Sequence, residues 1–360
     1  MTSALALFKK ASMHLTPSFE ITTVEAPDRM KTKEVPSRPI DATLPLPSLA
    51  EEVRKLSQIS EWKSVSTIMR QWALVIAFVV GFYALAPHVG PWKFLLYAAC
   101  VVAIASRQHC LLSLMHEATH YRLSKVKPWN DFISDMFCAF PVGVSTELYR
   151  RDHLLHHQYN STDKDPNWVG MQSHEDWHWP KDHLQALKLF VLDLTGLAAH
   201  KTLLFLFMWS PLQATINKQL VLSRSERLRL VTFLAPSITV LTVFHLWWVA
   251  FAFWFIPAVS VLGALLRLRS LAEHSVLEGD HDLERTRHVE ASWFERLTLA
   301  PINVNYHLAH HLYPSVPFYN LPRLHRRLME CKDFRHHAHV TPGYLGIKNG
   351  VLGEILEKRK

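Results

Sequence analysis

Histidine is the residue type whose spacing in this sequence suggests chemistry. Three short motifs, HEATH at 116–120, HLLHH at 153–157 and HLAHH at 307–311, place histidines three or four residues apart. Side chains at i, i+3 and i+4 share one face of a helix, so each motif presents its imidazoles to one point. A further histidine ends the stretch RSLAEH at 269–274. The histidines that we predict to bind metal are His116, His120, His153, His156, His157, His274, His307, His310 and His311.

These imidazoles are too many for one metal ion, because a four-coordinate zinc site needs only three or four protein ligands. Two ions with four or five nitrogens each use the whole set and keep positions open. Imidazole binds iron, copper, zinc and nickel, so the ligand type alone does not name the metal. No catalytic residue beyond the ligands is predicted. Polar neighbours can orient ligating imidazoles through the second ring nitrogen, and the candidates are Glu117, Asp152, Glu273, Asn303 and Asn305.

Two functions each explain part of this histidine pattern. HEATH matches H-E-x-x-H, the zinc-peptidase motif, in which Glu117 is the general base. This interpretation leaves both HxxHH motifs unexplained. A histidine-rich metal carrier or transporter predicts ionisable residues inside membrane spans, whereas the cores of the apolar segments here are uncharged.

The apolar segments predict an all-α integral membrane protein with two transmembrane hairpins. A span needs about 20 apolar residues, and four segments extended by their flanks supply them: about 68–87, 92–112, 229–245 and 247–268. The segment 184–209 contains Asp193, His200 and Lys201. We therefore interpret it as an interfacial amphipathic helix and not as a span. Span 2 can extend beyond the bilayer to carry HEATH, and span 4 can extend to His274.

Charge placement predicts the orientation of these spans. Lys and Arg are missing from the short connections at 86–92 and around His245, but they flank the other ends of the spans. By the positive-inside rule, both termini and all histidine motifs face the cytoplasm. The predicted organisation is a disordered tail over 1–50, a membrane domain over 51–335 with a helical cap over 113–228 and 269–335, and a C-terminal tail over 336–360. The cap holds the di-metal site.

The net charge of +8 follows this membrane pattern and does not indicate a nucleic-acid partner. The four cysteines show no CxxC or paired spacing, which argues against a disulfide framework or a thiolate metal site. The N-terminus has its lysines after a very short apolar run, the wrong order for a cleavable signal peptide.

Taken together, the sequence resembles the integral-membrane fatty acid desaturase and hydroxylase superfamily. The resemblance rests on HEATH, RRDHLLHHQYNSTDKDPNW (150–168), RSLAEH (269–274) and NVNYHLAHHLYPSVPFYNLPRLH (303–325), and it spans roughly residues 60–330. It implies four transmembrane helices beneath a cytoplasmic cap with a non-haem di-iron centre. It also implies that the histidines of the three motifs are ligands and that His274 is the extra ligand found in many members.

The resemblance further implies an O2-dependent oxidoreductase with two iron ions that desaturates a fatty acyl chain or lipid. A hydroxylase or ketolase acting on a lipid or a small non-lipid substrate is the nearest alternative. No haem, flavin or GxGxxG signature is present in the sequence. A separate electron donor of the ferredoxin or cytochrome b5 type is therefore expected. The expected location is the plasma membrane in a bacterium or the endoplasmic reticulum in a eukaryote.

Overall fold

The N-terminal half of the fold is dominated by two long antiparallel helices. The computed structural model describes residues 47–217, 220–279 and 282–356, so the predicted disordered tail falls almost wholly outside the described residues. The first helices are α1 (Pro47–Leu56), α2 (Glu61–Leu85) and α3 (Lys93–Thr119). Two short 3-10 turns that contain Pro87 and Pro91 connect α2 to α3. Proline lacks the N–H that a continuing helix requires, so the chain turns here.

A series of shorter helices follows. They are α4 (Lys127–Ser134) with a π-helical turn (Asp135–Ala139), α5 (Thr146–Tyr159), α6 (Pro166–Gln172), α7 (His183–Leu194), α8 (Ala199–Phe207) and α9 (Gln213–Ile216). Ser145, Asp165 and Asp182 cap α5, α6 and α7, each accepting a hydrogen bond from a backbone N–H of the first turn. Such caps satisfy N–H groups that have no partner within the helix.

The second apolar region also forms two consecutive helical segments. α10 (Arg224–Val243) is followed by α11 (Trp247–Ala250), a π-helical turn (Phe251–Phe255), α12 (Ile256–Val259) and α13 (Val261–His274). α11 to α13 belong to one helical run, Trp247–His274.

Three helical segments in the described part of the chain are long and apolar enough to cross a membrane: Glu61–His88, Gly90–Thr119 and Trp247–His274. They correspond to predicted spans 1, 2 and 4. The predicted third span corresponds to α10, which fails this test because its first two turns carry charged residues. Instead, α7 and α8, which are bent by 76°, pass together as one broken span. The segment that we interpreted as interfacial is therefore apolar enough to be a fourth span.

The C-terminal part of the chain folds against the end of α13. Its elements are α14 (Asp282–Arg285), β1 (Arg287–Val289), α15 (Trp293–Thr298), α16 (His307–Leu312), α17 (Leu321–Leu328), α18 (Lys332–His337), β2 (His339–Thr341) and α19 (Val351–Ile355). β1 and β2 pair in parallel, with Arg287 opposite His339.

The region predicted as a tail, 336–360, therefore contains a strand and a helix within its described residues. Val351 and Ile355 of α19 are fully buried in a cluster that includes Leu268 and Leu271 of α13. These few apolar contacts, distant in sequence, hold the segment in place.

α3 forms the centre of the protein. Its C-terminal half is buried from Ile104 to Thr119, and Leu111, Leu114 and Ala118 pack in a core cluster that includes Leu262 of α13. This packing fixes the end of α3, which carries HEATH, relative to the end of α13, which carries His274.

Candidate metal centre

Four helices converge at the predicted ligands. The end of α3 carries His116 and is followed at once by His120, α5 carries the HLLHH motif, α13 ends at His274 and α16 begins at His307. All nine predicted ligands fall into two groups of histidines whose ring nitrogens lie within 4.8 Å of one another. Group one contains His116, His120, His153, His157 and His310. Group two contains His156, His274, His307 and His311.

Each HxxHH motif contributes to both groups, and this corrects our expectation that each motif points at one centre. In α5, His153 and His157 belong to group one and His156 to group two. In α16 the division is reversed, because His307 and His311 belong to group two and His310 to group one. Residues i and i+4 therefore serve one group while residue i+3 serves the other.

Buried hydrogen bonds hold these helices in register. The Arg150 guanidinium of α5 donates to the carbonyl oxygens of Ala118 (2.9 Å) and Thr119 (3.1 Å) at the end of α3. It also pairs with Asp131 of α4. A cation at the last carbonyls of a helix is favourable, because those groups lack partners and carry partial negative charge. The same contact fixes HLLHH relative to HEATH.

Arg287 of β1 acts similarly at α13. Its side chain is almost fully buried and donates to the carbonyl oxygens of Leu271 (3.1 Å) and Ala272 (2.8 Å), just before His274. It also pairs with Glu354 of α19 at 2.8 Å. The folded C-terminal segment therefore supports the helix end that carries the ligand between motifs two and three.

The spacing of the ring nitrogens suits metal binding. In group one, His153 Nε2 lies 2.9 Å from His120 Nε2 and 3.0 Å from His157 Nε2. In group two, His274 Nε2 lies 3.2 Å from His156 Nε2 and 3.0 Å from His307 Nε2. Two nitrogens each about 2.1 Å from one ion and at right angles are about 3 Å apart.

Several buried ring nitrogens of both groups also lack a hydrogen-bond partner among the described residues: His116 Nε2, His153 Nδ1, and both nitrogens of His310 and of His311. Unpaired buried polar atoms are costly, and a metal ion in each group would satisfy those that face it. The donor set therefore fits two metal ions.

Electrostatics keep these imidazoles neutral. Burial, reinforced by Arg122 and other cations, lowers the pKa of His120 to about 3. Burial also lowers the pKa values of His153, His157, His307 and His310 well below the usual value of histidine, and neighbouring imidazoles add to the effect. A metal ligand must be the neutral imidazole, so the site presents the form that binds.

Comparison with known proteins identifies the family. A family model described as fatty acid desaturase matches residues 92–342, which is more than half of the chain and includes every histidine of both groups. The chain belongs to the fatty acid desaturase family. It is therefore an oxidoreductase of the desaturase type.

Curated members of this family cover much of the chain at low identity. The dihydrorhizobitoxine desaturase of Bradyrhizobium elkanii is 27% identical, with 65% of this chain and 68% of that protein covered. The human sphingolipid delta(4)-desaturase/C4-monooxygenase is 26% identical over 80% of this chain and 84% of its own length. The sn-1 oleoyl-lipid 12-desaturase of Anabaena variabilis is 23% identical, with 88% of each chain covered.

Outer contacts fix the tautomers of two imidazoles of group two, His156 and His274. His156 Nδ1 lies 2.8 Å from Asp165 Oδ2, and His274 Nδ1 lies 3.1 Å from the carbonyl oxygen of Arg285. Each Nδ1–H donates outward, so each Nε2 lone pair points to the group.

Asp165 was not among the predicted outer residues of this desaturase site. It follows His156 by nine residues across a turn, which helical spacing does not reveal. The sequence signal that could have identified Asp165 is its position directly before Pro166, where an aspartate caps the start of a helix.

Two of the predicted outer carboxylates face the histidine groups. Glu273 Oε1 lies 3.5 Å from His307 Nδ1 and accepts a hydrogen bond from Arg269 at 2.7 Å. Glu117 Oε1 lies 4.0 Å from His310 Nδ1, while its other oxygen accepts from the Phe318 backbone N–H at 2.8 Å.

The other three predicted outer residues bond elsewhere. Asp152 accepts from Trp209 Nε1 at 2.9 Å. Asn303 donates to the Phe318 carbonyl and Asn305 to the Val289 carbonyl, at 3.0 and 2.8 Å. Asn303 also has a positive φ of 65°, which asparagine tolerates better than most residues. The side chains of the two asparagines therefore position the segment that leads into α16 and bond to no imidazole of either group.

A cavity of about 60 Å³ borders both groups. Histidines from group one and group two line it together with Tyr149, Trp168, Met171 and Arg269. The Tyr149 ring stacks on that of His153, with centroids 5.2 Å apart and an interplanar angle of 15°. Space for a small reactant therefore lies next to the candidate ligands.

A separate pair of buried histidines lies outside the two groups. The rings of His288 in β1 and His325 in α17 stack with centroids 3.9 Å apart, and Nδ1 of each lacks a partner among the described residues. Burial and the neighbouring His325 lower the pKa of His288 to about 3, and burial lowers that of His325 to about 4. Both rings therefore stay neutral in the folded protein.

Proposed function

We propose that the protein is an O2-dependent di-iron membrane desaturase that acts on a fatty acyl chain or lipid. The observation that carries the proposal is the division of nine histidines, six of them buried, into adjacent groups of five and four. The proposed ligands of one iron are His116, His120, His153, His157 and His310, and those of the other are His156, His274, His307 and His311. Iron is proposed because zinc has no redox chemistry.

The reaction sets the requirements on the site. Desaturation removes two hydrogens from adjacent carbons, and O2 is reduced to two waters with two further electrons and two protons. The bound irons supply the oxidising chemistry. The chain's own residues keep several imidazoles neutral by burying them, fix the tautomers of His156 and His274 through Asp165 and the Arg285 carbonyl, and leave the cavity beside both groups for the reactants.

The electrons come from a separate donor of the ferredoxin or cytochrome b5 type. This part of the proposal rests on the sequence, which carries no haem, flavin or GxGxxG signature. The basic balance of the chain favours an acidic partner.

The lipid substrate is supported by the relatives and by the long apolar helices. Two of the relatives described above are named for sphingolipid and oleoyl-lipid desaturation. The proposed topology has two hairpins, with the histidine groups and both termini in the cytoplasm, and follows from the positive-inside rule.

Hydroxylation at the same centre is the second candidate. The human relative is named both a desaturase and a C4-monooxygenase, and hydrogen abstraction is common to the two reactions. A ketolase activity or a small non-lipid substrate is a further variant, and the Bradyrhizobium relative is named for the desaturation of dihydrorhizobitoxine.

Expression in a membrane of defined lipid composition tests the proposal. Products are profiled by mass spectrometry, with iron, O2 and a reducing system supplied, and His153→Ala serves as the inactive control. Loss of two hydrogens from a lipid supports desaturation, and gain of one oxygen supports hydroxylation. Neither product from the folded, iron-loaded protein refutes lipid oxidation. A content of one zinc and no iron in active protein refutes the di-iron centre and favours the peptidase reading of HEATH.

A further inference from the structure

An exposed apolar patch lies on two segments close to the third histidine motif. Trp293, Phe294 and Leu297 of α15 are 79%, 50% and 54% exposed. Leu345 and Ile347 of the following C-terminal segment are 46% and 68% exposed. Solvent-facing clusters of large apolar side chains mark interaction surfaces. We call these five residues the apolar patch.

Glu295 joins the two segments. Its carboxylate accepts hydrogen bonds from the backbone N–H groups of Tyr344 (2.7 Å) and Leu345 (3.0 Å). It also forms a capping box with Ser292 at the start of α15. Trp293, Phe294 and Leu297 then share the outer face of α15, so the two sets of apolar side chains form one continuous surface.

α15 is also bonded to a helix that is apolar enough to span the membrane. Ser106 Oγ of α3 donates to the Thr298 carbonyl at 2.9 Å, and the Arg107 guanidinium donates to the Leu297 carbonyl. Arg107 in turn donates to Gln71 Oε1 of α2 at 2.9 Å. The end of α15 is therefore fixed to α2 and α3 at the level of these residues.

That level lies at the edge of the hydrocarbon layer. Ser106 follows Gly90, the first residue of the apolar segment, by 16 residues, or about 24 Å along a helix. The hydrocarbon core is about 30 Å thick, so Ser106 lies close to the interface on the side of the histidine groups. The exposed Arg70, adjacent to Gln71, is at a similar level, as expected for a cation that reaches the headgroups.

We infer that the apolar patch inserts into the membrane leaflet on the side of the histidine groups. Aromatic residues favour this interface, and the exposed cations Arg296 and Lys348 beside the patch match anionic headgroups. α15 leads through residues 301–306 directly into α16. The patch therefore sets the height of the third histidine motif above the bilayer, and both the cap and the C-terminal segment dip into the lipid. This inference rests on the proposed membrane topology and does not depend on the proposed reaction.

Site-specific fluorescence quenching tests the inference. The full chain, with the half-buried Cys331 changed to Ser, receives a bimane label at Trp293→Cys or Ile347→Cys and is reconstituted in phosphatidylcholine–phosphatidylglycerol vesicles whose acyl chains carry bromine. Val80→Cys, exposed on the first apolar segment, is the lipid-facing control. Arg326→Cys, exposed on α17, is the aqueous control. The Ile347→Cys variant keeps Trp293, so the test still works if Trp293→Cys alone fails to fold.

Quenching at 293 and 347 that matches position 80, with position 326 unaffected, supports the inference. Fluorescence at 293 and 347 that matches position 326 overturns it. Disulfide crosslinking between copies at 293 without quenching shows that a second chain covers the patch, which also overturns it. Loss of quenching at position 80 as well refutes the topology together with the inference, and lipid product formation remains a separate test of the proposed reaction.

Discussion

The contact between Asp165 and His156 makes a quantitative prediction about metal binding. Asp165 is 1% exposed, and its Oδ2 faces His156 Nδ1 at 2.8 Å. Burial raises the pKa of this carboxyl, but the hydrogen bond from His156 and those from nearby backbone N–H groups outweigh burial and leave the pKa below its usual value. The ionised carboxylate therefore accepts the Nδ1 proton and keeps His156 Nε2 free for a metal ion.

Asp165→Asn reverses this hydrogen bond while keeping the shape of the side chain. The amide oxygen can still cap α6 through the Asn167 N–H, which Oδ1 now accepts at 2.9 Å, and asparagine is a good cap. The amide NH2 then takes the place of Oδ2 and loses the hydrogen bond from the Ser161 N–H, now 3.0 Å long. It faces His156 Nδ1 and favours the tautomer with the proton on Nε2, which cannot bind a metal. Loss of such outer partners lowers metal affinity about 10- to 100-fold, or about 1.4–2.7 kcal/mol.

The assay is an iron titration of the metal-free protein with quantification of bound metal. We expect the weaker binding to affect one of the two ions, because His156 belongs to group two only. Asp152→Asn is the matched control on α5, since Asp152 bonds to Trp209 and to no histidine among the described residues. Two irons bound by Asp165→Asn with the affinity of the unaltered protein would refute the reasoning, as would an equal loss in the control.

Three further predictions concern residues around the site. Glu117→Gln keeps an oxygen that can accept the hydrogen bond from the Phe318 N–H. The variant should therefore retain both metals, with at most about a tenfold loss of affinity, and should keep measurable turnover. Abolished turnover with metals bound would favour the peptidase interpretation. The folded pKa values of His288 and His325 lie below the ordinary value near 6.5, so the unfolded chain binds protons first as the pH falls. The contribution of the two neutral histidines to the free energy of unfolding is therefore fully present above about pH 6.5. It falls toward pH 4 by up to about 1.4 kcal/mol per pH unit for each histidine. His325→Phe should make the melting temperature fall less steeply with decreasing pH, and an unchanged slope would contradict this. Arg287→Met removes the donors to the Leu271 and Ala272 carbonyls and the ion pair with Glu354, which keeps His339 and Thr341 as partners. It should cost about 3 kcal/mol, read as a lower melting temperature than that of the surface control Arg326→Met.

The histidines that gather at the centre could be predicted from sequence because their spacing is a local property. The interval between His153 and His157 places both on one face of any helix. The assignment of His156 to the other group could not be predicted, since it depends on how α5 lies against α13 and α16. The roles of Asn303 and Asn305 were missed for the same reason: their partners are carbonyls brought close by the tertiary fold.

The sequence predicted some of the membrane helices and missed others. Uncharged runs identified three of the apolar helical segments, because length and composition are enough to recognise them. α10 fell short because charged residues occupy its first turns. The bent pair of α7 and α8 was interpreted as interfacial because of Asp193, His200 and Lys201. In the structure Asp193 pairs with Arg267 at 2.6 Å, with both side chains buried. Pairing makes a buried charge tolerable, and the partner lies 74 residues away.

The division of the two HxxHH motifs explains how one helix pair can define two adjacent metal sites. Neighbouring residues on a helix point about 100° apart, since 3.6 residues complete a turn. His156 and His157 therefore diverge into different groups, as do His310 and His311. The separation of the two groups is then set by the geometry of α5 and α16 and by their packing, with no flexible loop between the ligands. A change that shifts either helix must displace ligands of both groups together, which ties the integrity of one metal site to that of the other.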